Sequence, residues 1–226
     1  MQKPIQIAID GPAGAGKSSV AKKLADKLGF IYVDTGAMYR ALTYKALKNG
    51  INLSNERSLV ELAKITEITF GCGKVQKVFC DGEDVTELIR SPQVSQKVSL
   101  VAAYPEVRKY MVKMQQSLGQ NHNIIMDGRD IGTVVLPHAQ YKFFLTASLE
   151  ERAKRRKLEL EKKGYRFTND DIIEEIAERD KLDSQREVGP LKPAEDAIVI
   201  DTSNLTLNEV INKILAIILG ENNDAL

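Results

Sequence analysis

Eight residues, Gly11-Pro12-Ala13-Gly14-Ala15-Gly16-Lys17-Ser18, constrain this chain more than any others. They satisfy G-x-x-x-x-G-K-[ST] at every defined position, a pattern that wraps backbone around phosphate. Before it, Ile5-Gln6-Ile7-Ala8-Ile9 reads as a short buried strand. After it, the spacing of Val20, Leu24 and Leu28 predicts a helix over Ser19–Leu28, with Gly29 placed to end it. Between a strand end and a helix start, loop N–H groups converge on one point, and the helix dipole adds positive potential there. Glycines at 11, 14 and 16 let the backbone approach a phosphate with no Cβ in the way. Lys17 then reaches the β- and γ-phosphates and the Ser18 hydroxyl ligates Mg²⁺. The pattern in this setting implies a bound nucleoside triphosphate, with Gly11 through Ser18 and the adjoining Ser19 as its contacts.

That loop fixes the class of fold, and the rest of the chain agrees with it. Phe30–Val33, Ile124–Met126, Tyr141–Leu145 and Ala197–Ile200 read as further strands, and helices are expected between them at about Ala37–Leu47, Gln93–Ala103 and Glu106–Leu118. A densely charged helix is expected over Glu150–Arg166, interrupted at Gly164. Another, capped by Thr168 or Asn169, runs to about Arg186, and Thr206-Leu207-Asn208-Glu209 opens a last one with a capping box. Strands alternating with helices imply an α/β fold, a mostly parallel sheet covered on both faces with ligands at the strands' carboxyl ends. One block breaks the alternation: from Leu62 to Val85, segments 65–70 and 75–79 alternate as half-exposed antiparallel strands. Asp81-Gly82 signals a hairpin, and Val85 begins a third short strand. This block reads as a small antiparallel β insertion in a single 226-residue domain.

Formal net charge is +1, which gives no reason to expect nucleic acid or an anionic membrane as partner. Cys72 and Cys80 match no zinc spacing and read as small apolar residues. No signal peptide or membrane-spanning run is evident, so the expectation is a cytoplasmic monomer whose partners are small molecules. No N-K-x-D guanine-reading signature occurs, since Asn212-Lys213 continues as Ile-Leu, which argues against a GTPase switch.

Four clusters fall where such a fold gathers its chemistry. Asp34-Thr35-Gly36-Ala37-Met38-Tyr39-Arg40 follows the second strand. Ser99 and Arg108 lie on successive helices. Asp127-Gly128-Arg129-Asp130 puts two carboxylates and a guanidinium after a buried strand, and an aspartate at that place is suited to a Mg²⁺-directed acid, here through water. Arg179, Asp183 and Arg186 share one helical face. From Glu150 to Arg166 there are eight bases against four acids, including Arg152, Arg155 and Arg156, beside the hinge at Gly164. A solvated face and a mobile lid over about 150–168 both fit that composition. The two histidines, His122 and His138, lie in no cluster, and no nucleophile–base pair is evident.

These stretches together resemble the bacterial cytidylate kinases, within the nucleoside-monophosphate kinase group. The carriers are IAIDGPAGAGKSS at the start, VDTGAMYRALT at 33–43, VAAYPEVR at 101–108, MDGRDIGTVVLP at 126–137 and ERDKLDSQREVGPL at 178–191. The resemblance spans almost the whole chain and implies transfer of the γ-phosphoryl group of ATP to CMP or dCMP, with Mg²⁺. It also implies that Ser99, Arg108 and Asp130 read the cytosine, and that Arg40 and Arg129 hold the acceptor phosphate beside Thr35. Arg179 and Asp183 would meet the sugar and Arg186 would reach toward the phosphates. Lys17 and Arg129, with Arg155 and Arg156 from the lid, are the catalytic set. The stretch around 62–98 resembles the family's monophosphate-binding region. Thr35 departs from the serine of some relatives but keeps the hydroxyl. A small-metabolite kinase sharing the same loop is the nearest rival; the insertion and the Asp130, Arg179 and Asp183 set argue for a nucleotide acceptor.

Overall fold

The structure is a computed structural model and describes residues 4–71 and 76–220. Five parallel strands form the central sheet in the order β2-β6-β1-β7-β8: β1 Gln6–Asp10, β2 Ile31–Asp34, β6 Ile124–Gly128, β7 Tyr141–Thr146 and β8 Ile198–Asp201. β6 is buried along its whole length and β1 along all but its first residue, as expected of inner strands covered on both faces. On one face, α1 Lys17–Leu28 and α8 Leu207–Leu219 close a core with Ile7, Ile9, Phe143 and Leu145. Burying such aliphatic side chains contributes about 1.5–3 kcal/mol each.

A second core gathers α2 Thr35–Lys48, α4 Pro92–Ala103, α5 Pro105–Leu118 and a three-stranded antiparallel sheet, β3 Ile68–Gly71, β4 Lys77–Cys80 and β5 Glu83–Asp84. The hairpin signal at Asp81-Gly82 holds: both residues have positive φ, 51° and 81°, and Cys80 pairs with Glu83 across the turn. The third strand therefore comes earlier than expected, at Glu83–Asp84 rather than from Val85. The first is shorter than expected, because Ile65 and Thr66 end a helix instead of starting a strand, and the Thr66 hydroxyl donates to the Leu62 carbonyl. That helix, α3 Glu56–Lys64, has no counterpart in the sequence reading. Asn55 caps it, and Leu59, Leu62 and Ala63 bury its apolar stripe. Among the described residues Cys80 is a buried free thiol; Cys72 and Val75 lie outside them.

The charged segment forms α6 Leu149–Lys162 and stops before Gly164, whose φ of 82° suits glycine. Thr168 then caps α7 Asn169–Gln185 with a full capping box to Asp171, and Thr206 does the same for α8 with Glu209. α6 and α7 pack through Ala153, Leu160, Ile172 and Ile176. No described helix is long and apolar enough to cross a membrane. Among the described residues, His122 and His138 are exposed.

Candidate active site

A cavity of about 730 Å³ opens at the carboxyl ends of β1, β2 and β6. Strand register sets its floor. Asp34 pairs with Asp127, and Asp10 pairs with Gly128, so three strand-end carboxylates lie close together. All three are buried, which costs free energy unless each meets donors or cations.

Each finds different partners. Asp10 accepts the Ile131 and Gly132 N–H groups, both at 2.8 Å, which anchors a single π-type turn over Ile131–Val135. Burial still pushes its carboxyl up, to about 6. Asp34 accepts from the Ala37 N–H at 2.8 Å, capping α2, and pairs with Arg40 at 2.7 Å and Arg90 at 3.5 Å. Burial works against its charge, but the two guanidiniums outweigh it and hold Asp34 below the usual carboxylate range. Asp127 accepts from the Ser18 hydroxyl and the Tyr32 hydroxyl, each at 2.8 Å. Burial, with Asp34 adding to it, pushes the Asp127 carboxyl up. Thr35 donates its hydroxyl to the Asp127 carbonyl at 2.7 Å.

The glycine-rich loop has the expected shape. Gly11 has φ 147°, and a Cβ there would lie 2.0 Å from the Leu145 carbonyl oxygen, so only glycine fits against the end of β7. Gly16 sits at the N-cap of α1 with φ 85°. The Gly14 and Gly16 N–H groups meet no acceptor among the described residues, as suits an anion cradle. α1 starts at Lys17, two residues earlier than expected, and Lys17 folds back to donate to the Pro12 carbonyl at 2.7 Å. Its ammonium is buried; burial first, and then Arg129, pull its pKa down, while Asp127 opposes them. Ser19 lines the cavity mouth, next to Ser18.

The other wall is built from side chains. Arg129 donates through Nε to Asp183 at 2.8 Å, and Ser99 donates to the other oxygen of that carboxylate at 3.2 Å. Arg186 lies 3.8 Å from Asp183 and 3.5 Å from Asp130, and it donates to the Gly189 carbonyl. Arg108 is fully buried; it donates to the Ala102 carbonyl at 3.0 Å, pairs with Asp130 and lies 5.4 Å from the centre of the Tyr39 ring. Arg179 differs from these in making no hydrogen bond or ion pair among the described residues. Its Nε is buried without an acceptor, as are those of Arg40 and Arg108, and burial followed by the like charge of Arg129 pulls its pKa down to about 10. Arg129 thus sets its like charge against both Lys17 and Arg179; burial opposes its own charge, but Asp183 holds the Arg129 guanidinium above its ordinary range.

Among the three arginines of α6, the structure separates one from the others. Arg155 donates to the Thr202 carbonyl at 2.6 Å and to its hydroxyl at 3.0 Å. Arg156 pairs with Glu159 at 3.3 Å and Glu175 at 3.7 Å. Both line the cavity. Arg152 does not; it is buried beneath the loop and bonded to the Ala13 carbonyl. Every residue singled out for the second substrate, Thr35 included, lines the cavity. Asp10, Tyr32, Arg90 and Asp180 were not singled out. Asp10 and Arg90 could have been suspected from their places, one before the loop and one before α4; Tyr32 and Asp180 act through contacts with residues 95 and 167 positions away.

The arrangement pairs a phosphate cradle with an arginine-lined chamber that ends in a fixed donor–acceptor pair, Arg108 and Asp130. The chain matches the family model described as cytidylate kinase over residues 7–219. It belongs to the cytidylate kinase family. The cytidylate kinase of Bacillus velezensis is 58% identical over 219 residues, covering 96% of this chain and 98% of the relative. Those of Bacillus subtilis and Caldanaerobacter subterraneus subsp. tengcongensis are each 56% identical. The former covers 95% of this chain and 96% of the relative, the latter 93% and 92%. Among solved structures, an uncharacterized protein from Eubacterium ventriosum aligns over 96% of this chain and 99% of its own at a TM-score of 0.50 and 14% identity, a likeness of fold.

Proposed function

We propose that this chain transfers the γ-phosphoryl group of ATP to CMP or dCMP, giving ADP and the nucleoside diphosphate. The observation that carries the reading is the cationic excess of the cavity lining, eleven lysines and arginines against seven acids, with Arg179 unpaired among the described residues, since phosphates entering there would supply anionic partners. Phosphoryl transfer asks little covalent work of the protein and much positioning and charge stabilisation. The loop of residues 11–19 would hold ATP, with Lys17 swinging from the Pro12 carbonyl to the transferred group. Arg40 and Arg129 would hold the acceptor phosphate beside Thr35, Arg179 and Asp183 the sugar, and Arg186 the space between sugar and phosphates.

The base end follows from hydrogen-bond chemistry. Cytosine presents an amino donor beside a ring-nitrogen acceptor, which a carboxylate and a guanidinium answer. Asp130 and Arg108 present that pair, and Ser99 lines the same cavity. Uracil would set a carbonyl against the carboxylate. Mg²⁺ fits the Ser18 hydroxyl, with the Asp127 carboxylate reached through water; the hydroxyl donates a hydrogen bond to that carboxylate, whose pKa burial pushes up. When bound, the ion supplies charge neutralisation along the phosphates. The chain's own residues shield the transfer from water, with Arg155 and Arg156 on a lid of about 150–168. The region of about 62–98 supplies Arg90, Ser95 and Val98 to the acceptor wall. The site needs no second copy to complete it, and we propose a monomer that works in the cytoplasm, where ATP is supplied. ADP formation measured across CMP, dCMP, UMP, AMP, shikimate and no acceptor tests the reading. CMP or dCMP should lead by at least tenfold; a preference for AMP or shikimate would overturn it.

A further inference from the structure

The crest of the glycine-rich loop is clasped from outside by two side chains. Arg152, in the first turn of α6, donates through Nη1 to the Ala13 carbonyl at 3.1 Å and through Nε to the Ala147 carbonyl at 3.0 Å, and it pairs with Asp180. Asp180, on α7, accepts the Ala13 N–H at 3.3 Å. Both backbone groups of Ala13 are thereby taken by one ion pair. The contact is close: a Cβ on Gly14 would lie 2.9 Å from the Arg152 Cβ. Gly11 and Gly14 flank this point with φ of 147° and 78° and have no side chains with which to hold the loop's shape. Something outside the loop must impose it, because backbone ordered before binding need not be ordered at its expense. α7 also reaches the other half of the cavity. Three residues beyond Asp180 on that helix, Asp183 holds Arg129 and Ser99.

We infer that Asp180, acting with Arg152, is a positioning residue for the nucleoside triphosphate: the pair sets the loop crest so that the Gly14 and Gly16 N–H groups face the phosphates. The inference rests on reading the loop as the ATP site. It assigns Arg152 to the loop rather than to the mobile lid arginines, Arg155 and Arg156. Neither Asp180 nor Arg152 touches the reacting atoms.

The test uses the full chain with Mg²⁺ and a non-hydrolysable ATP analogue, titrated calorimetrically without acceptor, alongside CMP titration and steady-state kinetics. Asp180→Ala removes both the acceptor for Ala13 and the partner of Arg152. Asp180→Asn keeps an acceptor oxygen and its volume but loses the charge. The alanine protein should bind the analogue roughly tenfold or more weakly and raise KM for ATP to match, with the asparagine protein between it and wild type. CMP affinity should stay within about twofold, a split that a merely structural role would not produce. Because alanine leaves a buried guanidinium unpaired, Asp180→Asn and Arg152→Lys keep the question open if the alanine protein fails to fold. Analogue affinity within about twofold of wild type in the folded variants would overturn the inference, as would equal losses for analogue and CMP. A wild-type protein that binds no analogue would instead overturn the ATP-loop reading itself.

Discussion

The two halves of the cavity are built by different means. On one side, residues 11–18 present backbone N–H groups, and side-chain identity counts only at the glycines, Lys17 and Ser18. On the other, α2, α4, α5, α7 and the end of β6 contribute a network of guanidiniums and carboxylates in which Asp183 alone meets Arg129, Ser99 and Arg186. A backbone site is stiff and indifferent to what the phosphate is attached to. A side-chain network is selective, because most of its charges are balanced by named partners and a wrong ligand leaves one unpaired. It is also fragile, since removing one partner strands another. Generic grip on the donor and selective grip on the acceptor are what a kinase of one nucleotide class requires.

This contrast can be broken from either side. The largest effect is expected at Lys17, whose loss removes charge aimed at the transferred group. Lys17→Ala should lower kcat by roughly 10³-fold or more. Its melting temperature should hold or rise, because burial already works against that ammonium in the folded protein. Initial rates beside a melting curve check this, and activity within tenfold of wild type would contradict it. Next comes Arg129→Ala, which strips the acceptor phosphate of a cation and leaves Asp183 with less compensation. A fall of about 10²-fold in kcat/KM for CMP is expected, with stability lower by about 1–3 kcal/mol by denaturant titration. KM for ATP should change little if the two halves are as separate as proposed.

Smaller effects sharpen the account. Arg156→Ala should lower kcat by about tenfold with little change in CMP affinity or melting, since its partners, exposed Glu159 at 3.3 Å and half-buried Glu175 at 3.7 Å, are both held at long range. The smallest is a pH effect on stability. Asp10 has a folded pKa of about 6, above its ordinary 3.8, so the folded state binds that proton more tightly than the unfolded chain. Its contribution is present at low pH and is lost as pH rises through that window. Asp34 and Asp183, held low, contribute in the opposite sense, losing stability as pH falls through their folded pKa. Asp10→Asn should therefore remove a decline of order 1–3 kcal/mol between about pH 4 and 6, measured by denaturant titration across that range.

The same contrast explains what was legible in the chain. The donor loop is contiguous, so its glycines, lysine and serine spell it out, and the flanking strand and helix follow from apolar spacing. The acceptor wall joins Ser99, Arg108, Arg129 and Asp183 through contacts spanning 22 to 84 positions, and only a whole-chain resemblance gathered those residues beforehand. α3 was missed because its apolar stripe is short, Leu59, Leu62 and Ala63, and runs straight into residues with strand-like alternation. Asp10 and Asp180 were missed because each works on backbone groups elsewhere in the chain, Ile131 and Gly132 for one and Ala13 for the other. No local pattern records such a partner. Arg152 carries the same lesson: composition groups it with Arg155 and Arg156, while packing takes it under the loop.

The central claim, that the side-chain half chooses the acceptor by its base, is tested most directly at Asp130. Asn preserves the volume of this buried residue while replacing an obligate acceptor by an amide that can turn either oxygen or NH₂ toward the base. The quantity to measure is kcat/KM for CMP divided by that for UMP, in wild type and in Asp130→Asn, with KM for ATP as an internal reference. Wild type should favour CMP by at least about tenfold, a mismatch cost of about 1–3 kcal/mol, and the variant should bring the ratio toward one mainly by losing CMP activity while KM for ATP holds. An unchanged ratio in a folded variant, or a wild type that prefers UMP, would contradict the account.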